Sequence, residues 1–179
     1  MLSEKNIKEA ESHVRLYLGE DMLRHVKEKN PLIMKTLTKN SPESIKVAEL
    51  LFEGNHSDLW TIVSAYYSMF YIANAVLYME GFKVGEKIPH KVTADALIVF
   101  IRKRLADTLI EEYEKIKDDV LPGIKADEII DAFDHERSKR NFLQYTTTEE
   151  VKREKANTSL IRAKEFVYEM NSLIRRGAG

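Results

Sequence analysis

Ser64-Ala65-Tyr66-Tyr67-Ser68-Met69-Phe70-Tyr71-Ile72-Ala73-Asn74-Ala75-Val76-Leu77 is the stretch on which the fold turns. Together with Trp60, Ile62 and Val63 just before it, it puts apolar or aromatic side chains around most of a helical circumference. A helix apolar on nearly every face is normally surrounded by other helices. The stretch therefore reads as the central helix of a bundle. Ser57 or Asp58 suits its N-terminus, and it runs to about Glu80. Gly81 follows as a C-cap, since a residue without Cβ enters the left-handed region freely.

Outward from that helix, prolines and glycines divide the chain into further helical pieces. Upstream, Ile7, Ala10, Val14, Leu18, Met22 and Val26 recur at helical spacing and predict a helix from Ser3 to Lys29. Asn30-Pro31 breaks it. A second break is expected at Asn40-Ser41-Pro42-Glu43, with Ser41 as N-cap and Pro42 in the first turn. The helix that follows carries Ile45, Ala48, Leu51 and Phe52 and stops near Gly54-Asn55. Downstream, Lys83 to Pro89 reads as a loop. A helix from His90 to Asp118 comes next, bent near Arg102 to Leu105, where the apolar stripe shifts. Val120-Leu121-Pro122-Gly123 punctuates again before a helix from Lys125 to Gln144. Thr147 with Glu150 forms a capping box for a last helix to about Arg175.

No strand pattern and no internal repeat stand out. The expectation is an all-α, up-and-down helical bundle of about five to six helices, with sequential helices mainly antiparallel. Its length of 179 residues fits one domain. Residues 1–56 are expected to be an N-terminal helical extension of the same bundle, and residues 57–176 its core.

Charge and composition narrow the function classes. Lys+Arg 28 against Asp+Glu 29 leaves a net charge of -1, which excludes a surface that grips nucleic acid all over. A local basic patch is compatible with it, and Arg102-Lys103-Arg104 is a candidate. With no cysteine, disulfides, thiolate catalysis and cysteine-zinc sites are excluded. The only Glu-x-x-His spacing, Glu53 to His56, falls at a helix end rather than on a bundle face. Neither a phosphate-binding glycine loop nor a serine elbow is present, so no metal and no cofactor are expected. No apolar run approaches a bilayer span, and Met1 to Asn6 lacks a signal-peptide layout. A cytoplasmic protein is expected.

Chemistry concentrates on the helix that ends at Tyr145. Its apolar stripe, Ile129, Ile130 and Phe133, continues at helical spacing into Arg137, then Arg140 and Asn141, then Gln144. One face thus turns from apolar to cationic within two turns. Guanidinium groups there need an anion or water, and phosphate matches their planar fork. Pairing with Asp134, Glu136 or Glu149 is the plainer alternative. Tyr66, Tyr67, Phe70 and Tyr71 read first as core, with base stacking by Tyr66 or Tyr71 as the sharper option. His90 reads as a helix-starting residue bonded to a backbone carbonyl, or as an acid–base group.

The order YYxMFY at residues 66–71, then Gly81, His90 and Arg140-x4-Tyr145, resembles the HEPN family of small helical domains. The resemblance spans roughly Leu59 to Tyr145. It implies a homodimer whose arginine-bearing helices line a shared cleft. In nucleolytic members a histidine follows the arginine by four to six residues and performs acid–base chemistry without a metal. Here Tyr145 holds that position, and no histidine follows His135. A tyrosine, with an ordinary pKa of about 10, is a poor general base near neutrality. The Arg-x4-Tyr ending resembles a prokaryotic branch of the family. That resemblance implies a nucleotide- or RNA-binding module acting with a nucleotidyltransferase-type partner, in a toxin–antitoxin setting. On it, Arg137, Arg140, Asn141, Gln144 and His90 are the ligand-binding candidates. A metal-independent ribonuclease using Arg140 with Tyr145 or His90, and a purely structural interaction bundle, remain open alternatives.

Overall fold

The computed structural model describes residues 3–105, 107–120 and 153–177. Six α-helices account for most of them, with one small two-stranded sheet, so the chain is an all-α helical bundle. In chain order these are α1 (Glu4–Gly19), β1 (Leu23–His25), α2 (Pro31–Glu53), α3 (Asp58–Met79), β2 (Phe82–Val84), α4 (Pro89–Ala96), α5 (Asp107–Val120) and α6 (Arg153–Gly177). Between α4 and α5 lie a π-helical turn, Leu97–Ile101, and a 3₁₀ turn, Arg102–Arg104.

α3 is the centre, as its composition requires. It starts where Ser57 accepts a hydrogen bond from the Trp60 N–H, and it stops before Gly81 at φ +91. α2 runs antiparallel to it, and α6 runs parallel to it. Close approach of α2 and α3 is permitted by small residues: Ser41, Ala48, Ala65 and Ser68 are all fully buried. One continuous apolar core joins α1 through Val14 and Tyr17, α3 through Tyr66 to Leu77, α5 through Tyr113 and Ile116, and α6 through Phe166 and Met170. By length and composition α3 could also cross a membrane, contrary to the expectation that no apolar run comes near that size. In the bundle 67% of its most apolar window is buried.

Three further expectations are corrected. The first helix ends at Gly19, not Lys29, because Asp21 takes a left-handed conformation (φ 58) and turns the chain. Beyond the turn, Leu23 to His25 pair antiparallel with Phe82 to Val84, a sheet the sequence did not announce. The break expected at Ser41-Pro42 does not occur, and α2 runs unbroken from Pro31 with Pro42 inside it. The helix instead begins one break earlier, where the Asn30 side chain accepts from the Leu32 N–H at 2.9 Å. Proline at an interior position removes one backbone donor and weakens a helix. Here packing offsets that loss: the Ser68 hydroxyl donates to the Ser41 carbonyl at 2.8 Å across the α2–α3 contact.

The bend expected near Arg102 to Leu105 is present, built from the π and 3₁₀ turns. It places the Phe100 ring stacked on Phe82 with centroids 4.0 Å apart, fixing the bend to the sheet.

Candidate functional site

Of the residues singled out by sequence, His90 lies among those described. Arg137, Arg140, Asn141, Gln144 and Tyr145 lie outside them, as do the helix expected from Lys125 and the Thr147–Glu150 capping box.

His90 is the second residue of α4, behind Pro89 at the first position. The residue before them, Ile88, is left-handed at φ 43, ψ 47, a conformation that costs a β-branched side chain about 1–2 kcal/mol. The strained turn drives the imidazole inward, where it is 4% exposed. Its Nδ1 lies 2.8 Å from the Tyr66 hydroxyl on α3, a bond in which either group can donate. The Phe70 ring sits 4.5 Å from the imidazole and Tyr67 5.9 Å. Tyr66 in turn faces Tyr113 at 5.9 Å, and Tyr113 stacks on Phe166 at 5.3 Å. Burial drives the Tyr113 phenol far above its ordinary pKa; contact with Tyr66 opposes that and the Glu114 carboxylate adds to it. That phenol therefore stays protonated. The arrangement is a buried aromatic chain with one imidazole in it.

Tyr66 is fully buried, so it is a core residue and cannot stack on a base. Tyr71 is half-buried and lines an open groove of about 490 Å³ between α2 and α3, with Tyr67, Ser44 and an indole, Trp60, that is 54% exposed. In the basic run, Arg104 pairs with Glu80 at the end of α3, and Lys103 is exposed.

A second polar cluster had no signal in the sequence. Asp95 on α4 uses one oxygen, Oδ2, to accept from the Tyr17 hydroxyl at 2.8 Å and to meet His13 Nδ1 at 3.1 Å, both on α1. Burial raises the Tyr17 phenol well above its usual range, and the Asp95 hydrogen bond and charge raise it further. Asp95 also lies near Glu114 on α5. Burial pushes that carboxyl up; Lys117 opposes the shift while Asp118, Asp95 and Glu111 add to it. The partners are about eighty residues apart, so no local pattern could have paired them.

Among the described residues no three histidine, aspartate or glutamate side chains converge as a metal site. Comparison with protein-family models, curated proteins and solved structures finds no match to this chain.

Proposed function

We propose that this chain is a HEPN-like nucleotide- or RNA-binding module that holds phosphate through Arg140 and Asn141 without the metal-free cleavage of nucleolytic members. The observation that carries the reading is the contact between Tyr66 and His90. These belong to two separate parts of the family-like order, the aromatic segment and the histidine beyond Gly81. They meet across α3 and α4 inside an all-α bundle, which supports reading the two parts as one structural unit. In the sequence Arg137 and Gln144 flank Arg140 and Asn141 at helical spacing, a pattern that supports reading the four as one cationic, amidic set. Tyr145 in place of histidine removes the group that titrates near neutrality. We assign the module to a cytoplasmic homodimer, with a nucleotidyltransferase-type protein as its partner.

The test is binding and cleavage of a mixed RNA pool in EDTA, for wild type and Arg140→Ala together. Salt-sensitive binding that weakens in the variant, with no cyclic-phosphate ends, is the expected result. Arginine-dependent cleavage would replace the binding reading with the ribonuclease reading. Equal binding by both proteins would reject the site. Light scattering that gives a monomer mass at working concentration would remove the shared cleft.

A further inference from the structure

α1 rests on the flank of the bundle. It packs mainly on α4, on the π-helical turn that follows α4 and on β1, whereas α2 and α6 lie directly along α3. Its apolar attachment is short: Ala10, Val14 and Tyr17 are its buried side chains. Ala10 closes on Ile98 and Ile110 in a small cluster apart from the main core. An element with few buried apolar contacts opens locally at lower free energy than the core does.

The rest of the hold on α1 is polar. Asp95, 13% exposed, accepts from the Tyr17 hydroxyl at 2.8 Å and meets His13 Nδ1 at 3.1 Å, both through Oδ2. The His13 side chain is 40% exposed, so protons reach it from solvent while α1 stays docked. Glu114 on α5 stands within electrostatic reach of Asp95, one turn beyond Ile110 and on the same face. Burial raises the Glu114 carboxyl above its ordinary range; Lys117 opposes this, and Asp118, Asp95 and Glu111 add to it. The other described charged side chains of α1 are exposed, as are Lys91 on α4 and Arg24 and His25 on β1. The π-helical turn carries no charged residue, and His90 bonds Tyr66 on α3.

Two protonation events therefore act on α1 in one direction. A protonated imidazole gives Asp95 a charge-assisted bond, and that charge is lost as pH rises through the range where imidazoles titrate, about 5 to 8. A neutral Glu114 spares Asp95 a like charge, whereas its ionisation sets two carboxylates together beneath α1. Opening α1 admits water to that pair, so the docked state holds the Glu114 proton more tightly than the open state. Its contribution to docking is full below the open-state pKa and is lost as pH rises through the docked one.

We propose that α1 is a pH-sensitive latch, held on α4 by the His13–Asp95–Tyr17 clip most firmly in mildly acidic solution and opening as pH rises to uncover Ile98, Ile110 and the Asp95–Glu114 pair. The latch uses none of the residues assigned to phosphate, so its test is independent of that reading.

The experiment is hydrogen–deuterium exchange of the full chain by mass spectrometry between pH ~5.5 and ~8, corrected for the intrinsic rate at each pH, with α3 as internal reference. Wild-type α1 should lose about 2–5-fold in protection relative to α3 across that range, the size of a partly exposed charged pair. His13→Gln keeps an amide donor without the imidazole, and Glu114→Gln removes the carboxylate. Each should flatten the profile, and the double variant should be level. Tyr17→Phe marks a purely structural contact: it should lower α1 protection about 10-fold or more at every pH while keeping the wild-type slope. Wild-type protection of α3 shows that a variant is folded.

Protection of α1 that stays level or rises with pH overturns the proposal. So does a fall shared equally by α3, because the whole bundle would then be responding. A double variant that keeps the wild-type profile places the pH dependence outside this cluster and rejects the latch. A Tyr17→Phe variant as protected as wild type rejects it too, since Asp95 would then not hold α1.

Discussion

Replacing Arg153 with alanine should cost about 2 kcal/mol, far more than a surface arginine normally contributes. Arg153 opens α6 and is 44% exposed, yet its guanidinium makes four contacts where α2 ends and α3 begins. It donates to the Phe52 carbonyl at 2.7 Å, to Asn55 Oδ1 at 2.9 Å and to Asp58 Oδ1 at 3.2 Å. It also lies 4.0 Å over the Phe52 ring. The Asp58 pair, partly exposed, is worth about 0–1 kcal/mol. Cation–π contact at such a site adds about 0.5–1 kcal/mol. The bond to Phe52, whose carbonyl belongs to the last turn of α2, adds about 1 kcal/mol. For a chain of this size, 2 kcal/mol is a fall of about 4–8 °C in Tm. Arg153→Lys keeps the charge but loses the planar fork, so it should fall between alanine and wild type, near 1 kcal/mol. High salt should reduce the wild-type advantage only by the Asp58 part. Calorimetry on the three proteins at low and high salt decides it. An alanine variant within about 0.5 kcal/mol of wild type, or a lysine variant equal to it, would refute the clamp.

Ile88→Asn should stabilise the protein by about 0.5–1.5 kcal/mol in urea melts, since asparagine tolerates the left-handed turn that isoleucine resists; a loss of stability would show that no strain is stored there. Burial raises the folded-state pKa of Glu114 above its unfolded value, so its ionisation opposes folding as pH rises through that window. Glu114→Gln should therefore raise Tm at neutral pH, with the gain fading toward pH ~4 where the wild-type carboxyl is protonated in both states; a gain that does not change with pH would contradict this. Ser68→Val removes the bond to the Ser41 carbonyl and adds volume where both serines are fully buried, so it should cost about 2–4 kcal/mol, against about 1 for Ser68→Ala. Equal urea midpoints for the two variants would show slack at that contact.

How much of this was legible in the sequence depended on whether the deciding contact was local. α3 was readable because its apolar period, its Ser57 cap and its Gly81 stop all lie within one stretch. The bend before α5 was readable from the shift in the apolar stripe. The end of α1 was misread because Met22 and Val26 continue the helical spacing by accident of the strand that follows. Three-residue strands are too short for a period of two to register, and their pairing joins segments nearly sixty residues apart. Pro42 misled for the opposite reason: the local rule is sound, but tertiary packing at Ser41 and Ser68 overrides it. His90 was legible as a helix-starting residue. Its partner, the Tyr66 hydroxyl, was not, because a buried phenol on a core helix looks the same in sequence whether it meets an imidazole or a carbonyl.

Charge at the start of α3 serves cohesion: one arginine satisfies a helix-end carbonyl, an amide and a carboxylate at once. Lys164 with Glu49 and Arg162 with Glu112 repeat that logic along the flanks of α6, tying it to α2 and to α5. Arg104 with Glu80 does the same where α3 ends, tying the 3₁₀ turn to the central helix. Each pair is partly exposed and worth little alone, so what the set supplies is register: it fixes how α2, α5 and α6 sit along α3, while the buried apolar core supplies most of the stability.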